Sequence, residues 1–218
     1  MPIDYKKTEK DLYHPKTTPS IINVPEMVFI AVDGVGNPNT SESYKAALEV
    51  LYGLSYSLKM SKMKGTQPDG YFEYVVPPLE GLWWLPDGGM MDYAKKDRFC
   101  WTSLIRQPEF VTPEVFELTR TELAKKKPDI DTSKARLVKI TEGLCVQVMH
   151  IGSYDDEPAT ILAMEKYAID NGYTIDINDT RSHHEIYLSD PRKIAPEKLK
   201  TVIRHPIRKN AKKLLTLP

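Results

Sequence analysis

Residues 27–32, MVFIAV, are the longest purely apolar run in the chain and predict a buried β-strand. The turn-forming stretch 33–39 ends this strand, and Asn39 and Glu42 are spaced as in a helix capping box. A helix is therefore expected to follow, and it should end in the basic segment 59–64. Its predicted buried side carries Tyr44, Ala47, Leu48, Leu51, Ser55 and Leu58.

The second half of the chain shows the same order of elements. In the first half, strands are predicted over 71–76 and 99–106, which completes the order strand, helix, strand, strand. In the second half, the corresponding segments are 144–150 (LCVQVMH), 155–170, 183–188 and 199–204. The shared order predicts an internal duplication.

The duplication sets the expected domain organisation. Residues 25–218 should form a single domain of two repeats, at about 25–110 and 135–208. A linking helix is predicted over 112–127. Residues 1–24 carry scattered prolines and no sustained apolar period, so they are expected to form a loosely tethered N-terminal arm.

Composition excludes several classes of protein. The 218 residues include 30 basic and 30 acidic side chains, with 41% hydrophobic residues, which is typical of a globular protein. Because nucleic-acid binding draws on excess positive charge, no direct nucleic-acid partner is expected. The apolar run 27–32 is far shorter than the ~20 residues of a membrane span, so no membrane partner is expected either. Cys100 and Cys145 are isolated, which favours a reducing, cytoplasmic location over a disulfide framework.

Glu185 is the leading candidate for a functional carboxylate. Strand periodicity places His183, Glu185 and Tyr187 on one face, and the alternate residues of 183–188 are expected to pack against helices. In the first half, Tyr71 and Glu73 occupy the matching face of the predicted strand 71–76. If the halves pair about a pseudo-twofold axis, both glutamates converge on a groove between them. The alternative is that Glu185 is a solvated surface charge.

All three tryptophans, Trp83, Trp84 and Trp101, fall within nineteen residues. They are flanked by Met90, Met91, Tyr93 and Phe99. A flat aromatic ligand needs several rings in one place, so this segment predicts a binding surface. The stretch 79–97 has a shorter counterpart in the second half and is interpreted as a lid over the groove. The alternative is that the tryptophans pack within strands or cover a sheet edge.

Several familiar sites are not predicted. Gly34-Val35-Gly36 lacks the third glycine of a dinucleotide-binding turn, and neither a phosphate-binding loop nor a nucleophile elbow is found. His183, His184 and Glu185 alternate across a strand, so the three cannot share one metal ion. No cofactor and no metal are therefore expected.

Four strings of residues resemble the stand-alone GyrI-like small-molecule-binding proteins. They are HHEIYLSDPR (183–192), PEKLKTVIR (196–204), EGLWW (80–84) and WTSLIRQP (101–108). The resemblance covers about residues 20–208. It implies an α+β fold of tandem strand-helix-strand-strand modules, with an antiparallel sheet and a pseudo-twofold ligand groove.

The resemblance also implies a ligand and a reaction. In related domains of bacterial transcription activators, a groove glutamate matching Glu185 meets cationic aromatic drugs. No DNA-binding segment is recognised here, so direct transcriptional control is not expected. One stand-alone subfamily hydrolyses the cyclopropane ring of DNA-alkylating spirocyclopropyl-dienones inside an aromatic cage. Residues matching that cage by neighbourhood are Trp83, Trp84, Trp101, Tyr71 and Tyr187, with Glu73 and His183 as further ligand contacts.

In the corresponding hypothesis, Glu185 deprotonates or orients the attacking water, and Tyr71 or Tyr187 donates to the dienone oxygen. The expected partner is a planar aromatic small molecule, and the function would be self-protection against a toxic compound. Two alternatives stay open: a non-catalytic protein that sequesters planar or cationic drugs, and a gyrase-inhibitor-like interaction protein. The sequence does not predict the oligomeric state.

Overall fold

A computed structural model describes residues 1–88, 91 and 93–210 of the chain. The helices are α1 (Tyr5–Thr8), α2 (Lys10–Tyr13), α3 (Glu42–Lys59), α4 (Pro113–Lys126) and α5 (Glu157–Asp170). The strands are β1 (Ser20–Val35), β2 (Leu79–Trp84), β3 (Cys100–Gln107), β4 (Arg136–Ile151), β5 (Tyr173–Ile175), β6 (His183–Tyr187) and β7 (Lys200–Lys209). Met90, which flanks the tryptophans in the sequence, lies outside the described residues.

The strands form one antiparallel sheet in the order β4-β1-β3-β2-β6-β7-β5, and β4 also pairs with β7. This extra pairing closes six strands into a barrel-like ring, with β5 attached to β7. The α+β class and the antiparallel sheet predicted from the sequence are confirmed. The order strand, helix, strand, strand occurs in each half, and the second half adds the short β5 after its helix.

The inside of the ring is packed with side chains from most of its strands. The buried apolar residues there include Phe29, Ala31, Leu104, Cys145, Ile186 and Val202. Tyr5, Leu12 and Tyr13 from α1 and α2 belong to the same buried cluster. The prediction of a loosely tethered arm over 1–24 is therefore wrong. The short helices cover the ring, and β1 already begins at Ser20.

The outside of the ring carries the three long helices. α3 packs its buried side against β1 and β3 and also contacts α4, whereas α5 packs on β4, β5 and β7. α3 begins two residues later than the capping box predicted, because the Ser41 hydroxyl, and not Asn39, accepts a hydrogen bond from the Tyr44 backbone N–H (3.3 Å). Among the residues that the structure describes, no helix is both long and apolar enough to cross a membrane.

The second strand of the first half lies at Leu79–Trp84, so the predicted strand 71–76 is wrong. The segment 71–76 is extended, but its sheet-like pairing is a single parallel bridge between Tyr74 and Ile3. The Val75 backbone N–H donates to the Ile3 carbonyl (2.7 Å), and the Ile3 N–H donates to the Glu73 carbonyl (2.8 Å). The β-forming composition of 71–76 favours an extended backbone. Which segment enters the ring depends on pairing with distant strands, and that segment is β2.

Candidate functional site

A cavity of about 1290 Å³ opens on the outer side of the ring, where α3 and α5 flank β2 and β6. Two carboxyl groups and a set of aromatic side chains line its inner part: Tyr44, Trp83, Tyr93, Phe99, Tyr154, Glu157, Glu185 and Tyr187. The volume is enough for a drug-sized ligand, and an apolar cavity with a few convergent polar groups is the usual form of a small-molecule site.

Glu185 lies in the wall of this cavity and is 7% exposed. Its Oε1 lies 2.8 Å from His183 Nε2, and its Oε2 accepts a hydrogen bond from the Tyr187 hydroxyl (2.7 Å). The Tyr187 oxygen in turn accepts from Trp83 Nε1 (2.9 Å). Burial raises the pKa of Glu185, but the contact with His183 outweighs it, and the pKa is lowered overall. Glu185 is therefore a buried carboxylate at neutral pH.

Gly81 makes room for this arrangement. It lies directly opposite Glu185 in the pairing of β2 with β6. A Cβ atom at this position would lie 2.6 Å from Trp83 Nε1 and 3.0 Å from the Tyr187 hydroxyl. The missing side chain lets the tryptophan and the tyrosine meet above the strand.

Glu157 is the second carboxyl group of the cavity, and it is fully buried at the first position of α5. Burial, followed by the negative charge of Glu185, raises its pKa well above the usual value. A helix N-terminus favours a carboxylate by about 0.3–1 kcal/mol, which is too little to offset both effects. Glu157 therefore keeps its proton to a higher pH than an ordinary carboxyl group does. Its Oε1 has no hydrogen-bond partner among the described residues, whereas Oε2 lies 3.4 Å from the Tyr93 hydroxyl.

The pKa values of the two carboxyl groups thus shift in opposite directions. Two carboxyl groups whose environments drive their pKa values apart can act as an acid and a base. The surrounding tyrosines keep their protons, because burial raises the pKa of Tyr44, Tyr93, Tyr154 and Tyr187. The inner part of the cavity therefore combines Glu185 as a candidate base with several neutral donors.

Aromatic rings enclose this polar centre. The Trp83 ring lies 6.0 Å from Tyr44 at an interplanar angle of 31° and 6.1 Å from Phe99 at 69°. Tyr154 meets Tyr187 edge to face at 5.7 Å. The rings come from α3, β2, β6 and the segments before β3 and α5, so a planar ligand between them would touch both halves of the chain.

Of the predicted site residues, Trp83, Glu185 and Tyr187 come together in the cavity lining. His183 lies directly behind Glu185. Trp101 is fully buried and supports the cavity from below, with its ring edge-to-face against Tyr44 at 5.0 Å.

Trp84 does not line the cavity and is 36% exposed. Successive strand residues point to opposite faces, so Trp83 and Trp84 cannot both face the same ligand. The sequence left this choice open, and the structure selects Trp83.

Tyr71 and Glu73 are not part of the site, so their predicted convergence with Glu185 is wrong. Glu73 forms ion pairs with Lys62 (3.1 Å) and Lys59 (3.6 Å), and its side chain is 46% exposed. The Tyr71 hydroxyl donates to the Lys59 carbonyl (2.8 Å). Both residues were predicted for the site because 71–76 was assigned as the second strand of the first half. That strand is β2, at Leu79–Trp84.

The orientation of the Glu185 face also differs from the expectation. Glu185 points toward α3 and α5, while Ile186 and Leu188 point into the ring and contact the cluster of α1 and α2. The alternate residues do pack against helices, as expected, but against the short N-terminal ones that the sequence analysis missed. The groove therefore lies on the same side as the long helices.

Sequence reasoning missed four residues of the cavity: Glu157, Tyr44 as a ligand contact, Tyr93 as a donor to Glu157, and Tyr154. Tyr44 and Glu157 both lie in the first turn of a helix that follows a ring strand. This equivalent placement in the two halves is the signal that could have found them.

One group of metal-ligand types meets in the cavity. Donor atoms of Glu157, His183 and Glu185 lie within 4.8 Å of one another. Both Glu185 oxygens already have hydrogen-bonding partners in His183 and Tyr187. The arrangement fits a hydrogen-bonded network better than a metal centre.

Comparison with known structures places this cavity in a wider context. A conserved protein from Listeria innocua is 50% identical over 94% of this chain and all of its own, with a TM-score of 0.90. Two structures of a hydrolase from the same organism are 48% identical; they cover 94% and 95% of this chain and all of their own, with TM-scores of 0.87 and 0.89. A search of curated protein sequences gave no match.

More distant matches concern the fold alone. The C-terminal domain of EcmrR covers 88% of this chain and 98% of its own length at 14% identity, with a TM-score of 0.51. The model of the GyrI-like small-molecule-binding domain matches residues 17–208, which include the ring strands except the last residue of β7, Lys209, and every residue of the cavity centre. This chain therefore belongs to the GyrI-like family of small-molecule-binding domains.

Proposed function

We propose that this protein is a hydrolase that adds water to the strained cyclopropane ring of planar, DNA-alkylating spirocyclopropyl-dienones and so inactivates them. The observation that carries the proposal is an aromatic-lined cavity that holds two buried carboxyl groups, Glu185 with a lowered pKa and Glu157 with a raised pKa. Two relatives of 48% identity that are described as hydrolases support it.

Each part of the cavity has a role in this reaction. The rings of Tyr44, Trp83 and Phe99 hold the flat electrophile, and their faces stabilise positive character at the carbon under attack. Glu185 takes a proton from the attacking water. Tyr187 donates to Glu185 Oε2, so it positions the base. Since Tyr71 does not line the cavity, the other cavity tyrosines remain as donors to the dienone oxygen.

The bonds and protons balance as follows. The water oxygen bonds to a cyclopropane methylene carbon, and the ring bond from that carbon to the spiro centre breaks. Its electron pair passes into the dienone, which becomes a phenolate. Glu185 accepts one proton from the water, and the phenolate takes one from a neutral donor. Once Glu185 has released its proton to solvent and the donor has regained one, the net change is the addition of one water molecule, with no cofactor in the scheme.

The test is turnover of a spirocyclopropyl-dienone compound, followed by mass spectrometry as the gain of one water. We expect many turnovers per wild-type protein and a loss of roughly 10²–10⁴-fold for Glu185→Gln, the usual value of acid–base catalysis. Quenching of tryptophan fluorescence should show that the variant still binds. Glu73→Gln is the matched control, since Glu73 lies outside the cavity.

The alternatives give different results in the same experiment. One equivalent of unchanged compound per protein would show sequestration instead of hydrolysis. Turnover by Glu185→Gln at the wild-type rate would remove Glu185 as the base. Co-purification with gyrase that persists in Trp83→Ala would favour an interaction protein.

A further inference from the structure

The two carboxyl groups of the cavity lie close enough to act on the same few atoms of a ligand. Donor atoms of Glu157 and Glu185 lie within 4.8 Å of each other. Two oxygens at such a separation can each form a hydrogen bond of about 2.8 Å to groups that react with one another. The reaction proposed above uses Glu185 as its base and gives Glu157 no role.

Glu157 has the properties of a group that meets a ligand. Its side chain is fully buried and lines the cavity. In the part of the chain that the structure describes, no group donates a hydrogen bond to its Oε1. A buried polar atom without a partner costs about 1–3 kcal/mol, so a ligand that pairs with this oxygen would recover that cost.

We propose that the cavity also hydrolyses epoxides of flat aromatic compounds to diols, with Glu185 as the base and Glu157 as the acid. The inference shares the base with the proposed function, but it does not require turnover of a dienone. In both substrates, water opens a strained three-membered ring attached to a flat ring system. The aromatic lining of the cavity suits either substrate.

The two reactions differ in where the electron pair of the broken bond goes. In the dienone, the pair passes through the six-membered ring to an oxygen on the far side from the carbon under attack. In an epoxide, the pair stays on the oxygen that was bonded to that carbon. The acid that protonates an epoxide oxygen must therefore lie beside the base, as Glu157 lies beside Glu185.

An epoxide also needs a stronger acid than the dienone does. Its oxygen would leave as an alkoxide, which is far more basic than a phenolate, so a proton has to be supplied during ring opening. Burial raises the pKa of the four tyrosines of the inner cavity and makes them weaker donors. Glu157 is a carboxylic acid whose proton is retained by burial and by the charge of Glu185, which raise its pKa.

The groups around Glu157 are compatible with this role. The Tyr93 hydroxyl lies 3.4 Å from its Oε2, which leaves Oε1 for a ligand. The positive charge that acts on Glu157 is that of Lys96, which is paired with Asp155 (2.5 Å) and does not offset burial and the Glu185 charge. The other titratable groups that face the two carboxyl groups are Tyr44, Tyr154, His183 and Tyr187.

Glu185 is arranged as a base and not as a nucleophile. Its Oε1 lies 2.8 Å from His183 Nε2, and its Oε2 accepts from the Tyr187 hydroxyl (2.7 Å). A carboxylate oxygen that accepts one hydrogen bond has a second lone pair that can take a proton. The oxygen that bonds to the epoxide carbon is therefore expected to come from water.

The bonds and protons balance within the pair. The oxygen of the water bonds to one epoxide carbon, and Glu185 takes one proton from that water. The bond from this carbon to the epoxide oxygen breaks, and Glu157 gives its proton to the epoxide oxygen, which yields a diol. The two side chains lie close enough to share a hydrogen bond, which contributes to the pKa of each. Glu185 can therefore return its proton to Glu157, which restores both groups.

The first experiment measures hydrolysis of phenanthrene 9,10-oxide, a flat arene oxide, by chromatography and mass spectrometry of the diol. The rate without protein is subtracted. We expect many turnovers per wild-type protein and a loss of about 10²–10⁴-fold in kcat for Glu157→Gln, the usual value of acid–base catalysis. The same variant should turn over the spirocyclopropyl-dienone within about three-fold of wild type, because that reaction takes no proton from Glu157.

Two controls accompany this measurement. Asp170→Asn changes another carboxyl group of α5, which is exposed and paired with Lys166 (2.8 Å), and it should change neither activity. Quenching of tryptophan fluorescence by a planar dye should show that the cavity of Glu157→Gln is intact. The variant is expected to fold, because glutamine keeps the shape of the side chain and removes a buried acid.

The second experiment finds the source of the new oxygen. A single turnover of phenanthrene 9,10-oxide is run in water labelled with oxygen-18, with protein in excess over the epoxide. Attack by water places the label in the diol. An unlabelled diol would mean that a protein carboxylate attacks first, and it would overturn the assignment of Glu185 as the base.

The outcomes separate this inference from the proposed function. Diol formation without turnover of the dienone contradicts the proposed function and keeps the inference. Turnover of the dienone without any diol from wild-type protein overturns the inference and keeps the proposed function. Epoxide turnover by Glu157→Gln at the wild-type rate, or an equal loss of both activities in this variant, overturns the role of Glu157 as the acid.

Discussion

His183 and His184 are neighbours on β6, yet they belong to two clusters of opposite character. His184 points into the ring, where its Nε2 lies 3.0 Å from Glu80 Oε2 and its Nδ1 lies 2.9 Å from Glu142 Oε1. Arg204 Nη1 donates to Glu142 Oε2 (2.7 Å). We call Glu80, Glu142, His184 and Arg204 the interior ion cluster. His183 points outward to Glu185 and the cavity.

The two clusters contain similar residue types but have opposite proton affinities. In the interior ion cluster, burial alone would lower the pKa of His184, but the charges of Glu142 and Glu80 raise it to about 9. Burial likewise opposes ionisation of Glu142, but His184 and Arg204 lower its pKa to about 2. On the cavity side of β6, the pKa of Glu157 is raised, and the pKa of His205, which contacts His183, is lowered.

The difference is the arginine. A guanidinium keeps its charge at all accessible pH values, so it fixes the ionised state of the carboxylates around it. On the cavity side, the positive charge that acts on Glu157 is that of Lys96, and it does not offset the effects of burial and of the Glu185 charge. One face of β6 therefore contributes to the stability of the fold, and the other face carries the proposed catalytic carboxylate.

The largest effect is expected when the interior ion cluster loses its fixed charge. Arg204→Met leaves Glu142 buried without its guanidinium, and breaking a buried ion pair in this way costs about 3–5 kcal/mol of the free energy of unfolding. Urea denaturation measures the loss. Arg208→Met is the matched control on the same strand, because Arg208 is exposed and lies 3.6 Å from Asp176; it should change stability by less than about 0.5 kcal/mol. A loss below about 1 kcal/mol for Arg204→Met would show that the cluster is not a stabilising feature.

The two clusters should affect the stability of the fold in different pH ranges. The folded-state pKa of His184 is about 9, above its usual 6.5, so its stabilisation is complete below pH 6.5 and is lost as the pH rises through 9. The stabilisation by His184 amounts to about 3 kcal/mol, because each unit of pKa shift corresponds to about 1.4 kcal/mol. Glu142 stabilises above pH 4.5, and this contribution is lost as the pH falls through about 2.

Glu157 acts in the opposite sense to Glu142. Its folded-state pKa is raised, so its cost appears above pH 4.5, where only the unfolded chain releases the proton. Thermal unfolding from pH 4 to 10 should therefore show Tm falling already from pH 4.5 upward. Glu157→Gln should remove the first part of the fall, and His184→Gln the part between 6.5 and 9. A single variant that removes both parts would mean that the clusters are coupled.

The smallest effect tests the face of β2. Trp83→Phe removes the N–H that donates to Tyr187, which is worth about 1 kcal/mol, so the Kd for a planar aromatic dye such as ethidium should rise about five-fold. Trp84→Phe is the matched control and should leave the Kd unchanged, because Trp84 does not line the cavity. Equal effects of the two substitutions, measured by fluorescence titration, would contradict the assigned face.

Local patterns predicted the elements whose sequence signals are strong. α4 and α5 begin and end within two residues of the expected positions, and the apolar cores of β1 and β4 lie inside their strands. Thr112 caps α4 by accepting from the Val115 N–H, as its position before Pro113 favours. These features depend on spacing of a few residues, which a single sequence contains.

Long-range choices could not be predicted in the same way. Residues 71–76 and 79–84 both have β-forming composition, and pairing with β3 and β6 decides which one enters the ring. The N-terminal helices change the environment of the Glu185 face, because they cover the other side of β6. No local motif around Glu157 predicts its raised pKa. Glu157 and Glu185, 28 positions apart in the chain, come together only in the folded structure.

The closure of β4 on β7 has a consequence for how the molecule assembles. Ser20 pairs with Gln147 and Cys145 pairs with Pro206, so the ring is complete only when residues 127 and 61 positions apart have met. Folding dominated by such distant contacts is slow, and the late closure leaves strand edges open until the C-terminal strand arrives. A fragment cut between α4 and β4 would keep β1 and β2 with unpaired edges, a template for joining a second copy. Translation would therefore expose a self-associating intermediate that only the last ring strand removes.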